Sequence, residues 1–253
     1  MRCRIEAAAR SAGRDPAGVR LICVTKGIYV GRIREAIAYG VTDIGENRVQ
    51  EAQQKKENMS AGYRVPGTLR WHLIGRLQRN KARIAAQIFD VVHSVDSLEL
   101  VAALERQAAL RRAVRPELKS KDERLAQGER RMEALIQVNV SGEATKGGCR
   151  PEEVQALAEA LNRSRSLRLA GLMTMAPYAE DPERARPVFR RLREIRDRLE
   201  DQLGDCFAPL HGARNDVKSR LHLSMGMSQD FEAAVQEGAT MVRIGTAIFG
   251  ERV

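Results

Sequence analysis

Apolar residues cluster in this chain as short runs, set between longer stretches where they recur every third or fourth position. The runs at 21–26 (LICVTK), 41–48 (VTDIGENR), 69–75 (LRWHLIG), 88–96 (IFDVVHSVD), 134–140 (ALIQVNV), 167–175 (LRLAGLMTM), 221–223 (LHL) and 241–244 (MVRI) read as strands. The stretches between them carry helical spacing. A first helix over 2–12 is closed by Gly13, and one over 31–39 places Ile33, Ala36 and Ile37 on one side before Gly40 stops it. Further helices are predicted at 49–58, at 79–86, and at 97–110 with Ser97 as N-cap and Leu98, Val101, Ala102 and Leu104 facing inward. Others follow at 151–162, with proline in its first turn, at 182–203, and in the short stretch between the last two strands. Eight strands alternating with helices make a closed (β/α)8 (TIM) barrel the best single account, an α/β fold in one domain over 1–253.

Length agrees, since 253 residues is close to the roughly 250 usual for such a barrel. No apolar run approaches the roughly 18 residues that a membrane helix needs, and the start of the chain is a charged, alanine-rich helix pattern without a secretory core. Four widely spaced cysteines, Cys3, Cys23, Cys149 and Cys206, argue against a zinc site or a disulfide framework and for a cytoplasmic protein. His72, His93, His211 and His222 show no ligand spacing on one helix, so a metal site is not expected. The net charge of +10 raises the question of nucleic acid. Much of it sits in 111–131, with eight basic and four acidic residues, and in 182–201, with seven basic and five. In both the signs are interleaved, as on a solvated helix face, and aromatics make up only 4% of the chain. Nucleic acid is therefore not the expected partner. The polar segment 111–131 reads as a surface insertion.

The candidate chemistry lies at the carboxyl ends of the predicted strands, where parallel α/β proteins bind ligands. Two turns rich in small residues, Ser224-Met225-Gly226-Met227-Ser228 and Gly245-Thr246-Ala247, follow strands seven and eight and suit a phosphate. Lys26 ends the first strand and shares a face with Ile22 and Val24; it is either an amine nucleophile for an aldehyde or a strand-end lysine reaching solvent. Lys146, in a polar glycine-rich turn, is its rival. Arg243 shares a face with Met241 and Gly245, and pointing inward it needs an acceptor: a ligand atom, or a buried carboxylate such as Glu46. Asn47 and His72, near the ends of strands two and three, either line the mouth or are satisfied core polar groups. An amine, a phosphate cradle and an inward arginine together describe a pocket for a phosphorylated aldehyde, and pyridoxal 5′-phosphate fits it.

The blocks VTK at 24–26, GENRVQE at 45–51, WHLIGRLQRNK at 71–81 and HSVDS at 93–97 carry a family resemblance, continued by QVNVSGEATKGG at 137–148, GLMTMAP at 171–177 and the stretch 223–252. With these the sequence resembles the pyridoxal phosphate homeostasis proteins, relatives of the barrel domain of alanine racemase, over nearly its whole length. The resemblance implies that Lys26 carries the cofactor as an internal aldimine, a reversible Schiff base. It also implies that Ser224, Met225, Gly245 and Thr246 hold the phosphate, that Arg243 faces the ring nitrogen, and that Asn47 and His72 belong to the pocket. The expected role is that of a vitamin B6 carrier, monomeric or weakly dimeric, serving pyridoxal-phosphate-dependent apoenzymes without a reaction of its own; a racemase or decarboxylase is the alternative. The racemases resembled here take a second proton donor from a β-domain after the barrel, and this sequence ends at Val253, which favours the carrier. The residues after Lys26, Gly-Ile-Tyr, depart from the threonine and proline-containing turn usual in the family.

Overall fold

Eight parallel strands close on themselves in the order in which the chain supplies them, in a computed structural model that describes residues 1–60, 69–114, 131–143, 146–204 and 221–250. They are β1 (Arg20–Val24), β2 (Asp43–Glu46), β3 (Arg70–Leu73), β4 (Val91–Val95), β5 (Met132–Gln137), β6 (Leu167–Met173), β7 (His222–Ser224) and β8 (Met241–Ile244). The ring is completed where β8 lies beside β1, with Arg20 opposite Met241 and Cys23 opposite Ile244. Helix α1 (Arg2–Ser11) precedes the barrel. Outside the strands run α2 (Val30–Ala38), α3 (Val49–Ser60), α4 (Ala82–Ile88), α5 (Leu98–Val114), α6 (Val154–Arg163), α7 (Arg186–Leu203), α8 (Phe231–Gln236) and the single turn α9 (Thr246–Phe249). The (β/α)8 architecture expected from the alternation is the one observed.

Two apolar layers hold it. Between strands and helices, α6 contributes Val154, Leu157, Ala158 and Leu161, and α7 contributes Phe189, Leu192, Ile195 and Leu199, each a stripe at helical spacing. Each fully buried leucine, isoleucine or phenylalanine contributes roughly 1.5–3 kcal/mol. Inside the barrel, Ile22, Val91, Leu135, Ala170, Met173 and Met241 form a smaller cluster drawn from five strands. The amino-terminal ends of the strands carry charge instead. Glu133 pairs with Arg70 at 2.6 Å and with Arg168, and Arg20 lies 3.7 Å from Asp43. Burial pushes the Glu133 carboxyl up, but the two guanidinium groups outweigh it and leave it below its ordinary range.

Several expectations shift in detail. Proline or basic residues open the helices predicted at 79, 151 and 182 as 3-10 turns, Arg79–Lys81, Pro151–Glu153 and Pro182–Ala185. Residues 88–90, expected in strand four, lie in the end of α4 and the connection to β4. In α5 the core-facing row is Leu100, Leu104 and Ala108 with Val101 and Ala103, whereas Leu98 and Ala102, four residues apart, share the exposed side. Thus Leu98 and Ala102 do not face inward as expected. The helix also runs to Val114, into the predicted insertion; residues 115–130 of that insertion lie outside the described residues. Among the described residues no helix is long and apolar enough to cross a membrane, and no histidine, cysteine and carboxylate cluster could hold a metal.

Candidate functional site

A cavity of about 720 Å³ opens at the carboxyl ends of the strands. Lys26 enters it from two residues beyond β1, Asn47 from just beyond β2, and Arg243, Gly245 and Thr246 from β8 and the turn that follows. The β1 alternation is as expected: Ile22 lies in the inner cluster while Val24 and Lys26 line the cavity above it. Lys26 is half-buried. Lys146 does not line the cavity; its Nζ lies 3.7 Å from Glu143.

The loop bearing Lys26 is tied down on both sides by α3. Lys55 Nζ, buried, donates to Thr25 O at 2.5 Å, to Glu46 Oε1 at 2.8 Å and to Glu51 Oε1 at 2.6 Å. The Thr25 hydroxyl donates to Glu46 Oε1 at 2.6 Å, and Glu51 accepts from the N–H of Gly27 at 2.6 Å. Glu46 is fully buried and its Oε2 has no hydrogen-bond partner among the described residues. Burial pushes its carboxyl above the ordinary value against the opposing bonds from Lys55 and Thr25. This anchoring explains GENRVQE: Glu46 and Glu51 hold Thr25 and Gly27, the neighbours of the lysine, in place. Sequence alone suggests Glu46 only as a partner for Arg243. The i,i+4 spacing of Glu51 and Lys55 was the available signal for the rest.

Arg243 is buried and donates from Nη1 to Ser224 Oγ at 2.7 Å and from Nη2 to Thr174 O at 2.9 Å. No ion pair forms between it and a carboxylate among the described residues, and Glu46 is engaged with Lys55. Burial pushes the guanidinium down to about 10, with Asp230 acting the other way, so it stays charged at neutral pH. Below it, Ser224 Oγ lies 2.9 Å from His93 Nδ1, His93 Nε2 lies 2.9 Å from His72 Nδ1, and His72 Nε2 lies 2.9 Å from Asp43 Oδ1.

The two turns fold against each other. Gly226, at φ 92°, lets the first pass so close to α8 that a Cβ there would lie 2.6 Å from Ala234 Cβ. Asp230 accepts from the N–H of Met227 at 2.6 Å, and Ser228 Oγ accepts from the N–H of Ala247 at 3.4 Å. Ser228, Gly245 and Thr246 all line the cavity, with the Thr246 side exposed and Gly245 partly so.

The structure therefore gathers Lys26, Asn47, Arg243, Gly245 and Thr246 around one space. It does not bring Ser224, Met225 or His72 to it. Strand β7 extends one residue beyond the apolar run, so Ser224 lies in the strand with its side chain under Arg243, not in the turn. Met225 is fully buried in the outer core with its N–H on Met241 O, and His72 is fully buried between Asp43 and His93. Ser228, four residues beyond Ser224, takes the position in the turn expected of Ser224; its place in the quoted turn was the only sequence signal.

Comparison with known proteins matches the family model "Alanine racemase, N-terminal domain" to residues 2–253. The pyridoxal phosphate homeostasis protein of Pseudomonas aeruginosa is 43% identical over 249 residues, 98% of this chain and 91% of that one. The structure of PipY from Synechococcus elongatus PCC7942 with PLP bound matches with a TM-score of 0.73 and 33% identity, covering 98% of this chain and all (100%) of that one. An alanine racemase of Clostridium difficile shares the fold alone, at 16% identity and a TM-score of 0.65 over 98% of this chain and 55% of that one.

Proposed function

The chain belongs to the alanine racemase N-terminal domain family, and from that premise we propose that it is a pyridoxal phosphate homeostasis protein, which binds pyridoxal 5′-phosphate and passes it on rather than using it in catalysis. The observation that carries the reading is the meeting, in one cavity, of an amine, a buried arginine and two interlocked small-residue turns. The residues fit the cofactor. A Cβ on Gly245 would press on Val24 at 3.3 Å, so the glycine lets the turn where a phosphate is expected lie close against the end of β1, beside Lys26. Thr246 and Ser228 place hydroxyl groups beside it. Relatives named for pyridoxal phosphate homeostasis, and the PLP-bound PipY, support the same assignment.

Bound in this cavity, the cofactor supplies an aldehyde that condenses reversibly with an amine and a ring that can act as an electron sink. Lys26 Nζ, which lines the cavity, would be the amine that holds the cofactor through that reversible condensation. Thr25 and Gly27, held by Lys55 and Glu51, fix where that amine points. Arg243 would face the ring nitrogen; because a guanidinium donates and cannot accept, it would leave that nitrogen unprotonated and the electron sink weak. This is the basis for a carrier role toward pyridoxal-phosphate-dependent apoenzymes. Borohydride reduction of protein loaded with pyridoxal 5′-phosphate, followed by tryptic mapping, tests it. The expected result is visible absorbance before reduction and a modified Lys26 after it. Protein that stays colourless with added cofactor would refute the assignment.

A further inference from the structure

Cofactor binding as read above leaves the polar chain inside the barrel without a role. All five of its side chains are at least nine-tenths buried, with Arg243 and Asp43 4% exposed and Ser224, His93 and His72 fully buried. Such a chain is costly unless every member is satisfied, and here each one is. Donor and acceptor chemistry leaves it one direction. A guanidinium only donates, so Ser224 Oγ accepts from Arg243 Nη1 at 2.7 Å. An ionised Asp43 only accepts, so His72 donates to it through Nε2 at 2.9 Å. A neutral His72 then offers Nδ1 as an acceptor, which His93 fills from Nε2 at 2.9 Å. That leaves His93 Nδ1 to accept the hydroxyl hydrogen of Ser224 at 2.9 Å. Burial holds both rings below their ordinary values, His93 well below, in agreement with two neutral imidazoles. For Asp43 burial pushes upward, but the bonds from His72 and Thr42 and the nearby charge of Arg20 outweigh it and keep the carboxyl ionised.

From this we infer that Ser224 and His93 are positioning residues for Arg243: a one-way hydrogen-bond chain ending on Asp43 holds the Ser224 oxygen as an acceptor toward the guanidinium and so aims Arg243 at the cofactor ring. Without His93 the Ser224 hydroxyl loses the acceptor that sets its rotation; without Ser224 the guanidinium keeps only Thr174 O and can swing. Ser224 thereby leaves the phosphate site, where its sequence position had put it, and joins the ring site. The inference rests on the reading that Arg243 faces the ring nitrogen.

Two ligands separate the roles: pyridoxal 5′-phosphate, and pyridoxal, which has the same ring and aldehyde without the phosphate. Dissociation constants for both, and the absorbance maximum of the loaded protein, are measured for Ser224→Ala, Ser224→Thr, His93→Phe, Thr246→Val and Arg243→Met. Ser224→Ala and His93→Phe should weaken both ligands by one common factor of about tenfold, the scale of a hydrogen bond to a charged group. Both should move the absorbance maximum in the direction that Arg243→Met moves it, and Ser224→Thr should restore it. Thr246→Val should weaken only the phosphorylated ligand. Ser224→Ala combined with His93→Phe should cost less than the product of the two, because both break one chain. Ser224→Ala weakening only the phosphorylated ligand would make Ser224 a phosphate ligand and overturn the inference. Arg243→Met moving the maximum while Ser224→Ala and His93→Phe leave it fixed would overturn the inference alone. An unmoved maximum in Arg243→Met would remove the ring-facing reading and the inference with it. If His93→Phe does not fold, the two Ser224 variants decide the matter.

Discussion

Replacing Lys55 by methionine tests the anchoring of the Lys26 loop, because it removes one buried charge and leaves its partner behind. Glu46, fully buried, would keep only the Thr25 hydroxyl as a donor, and its Oε2 is without one already. Removing one member of a buried ion pair costs about 3–5 kcal/mol, mainly through the stranded charge. In a chain of this size that is a fall of roughly 6–20 °C in melting temperature. The loss should depend on pH. With Lys55 gone, the Glu46 carboxyl rises further above its unfolded value of 4.5, from which burial has already moved it upward. A carboxyl raised in the folded state stabilises most below the unfolded value, and that stability is lost as pH rises through the folded one. Urea denaturation should therefore show a small deficit at acid pH that grows toward pH 8. Adding Glu46→Gln, which removes the stranded charge, should recover most of it. A deficit below about 1 kcal/mol, or one equal at both ends of the pH range, would refute the buried-pair reasoning.

Four other outcomes are expected. Lys26→Ala should abolish borohydride trapping while leaving the melting temperature nearly unchanged, since the side chain is half-buried and without an ion-pair partner among the described residues; trapping that persists would shift the linkage to Lys146. Gly75→Ala should displace Asn47, whose backbone oxygen would lie 2.3 Å from the new Cβ, and so weaken cofactor binding; unchanged affinity by absorbance titration would show that Asn47 is not part of the site. Thermal stability should fall on acidification: burial pushes His222 down to about 4 from its unfolded 6.5, so its contribution of roughly 3 kcal/mol is present above 6.5 and lost as pH falls toward 4, with His72 and His93 adding in the same direction. A melting temperature flat across that interval would contradict the three neutral imidazoles. The loaded protein should not exchange the Cα proton of alanine with D2O, as followed by NMR; turnover near the ~10 s⁻¹ typical of enzymes would make it an enzyme.

Periodicity revealed the barrel because its strands and helices obey different repeats, and each α6-type stripe needs only local sequence to be seen. Lys26 and Arg243 were legible for the same reason: a charged residue in phase with apolar neighbours on a strand must point inward. Ser224 and His72 were misplaced because depth along a strand is a tertiary quantity. Phase puts both on the inner face, but only the register with neighbouring strands shows that they lie beneath the cavity floor. The Lys55 anchor was hidden for another reason. It joins the residue after β1 and the end of β2 to α3, three elements after β1, and beyond the i,i+4 pair of Glu51 and Lys55 no short-range repeat announces such a contact.

The pairing of β8 with β1 also governs when the site can exist. Lys26 and Arg243 are widely separated in sequence, so a ribosome-bound fragment carries the amine long before the arginine is made. Contacts of such long sequence separation close late in folding. A cofactor held by both groups would find its full site only in molecules whose ring is already shut. Once bound, it stabilises them by RT ln(1 + [L]/Kd). The supply of the cofactor would then set how far the closed barrel is stabilised over the open one.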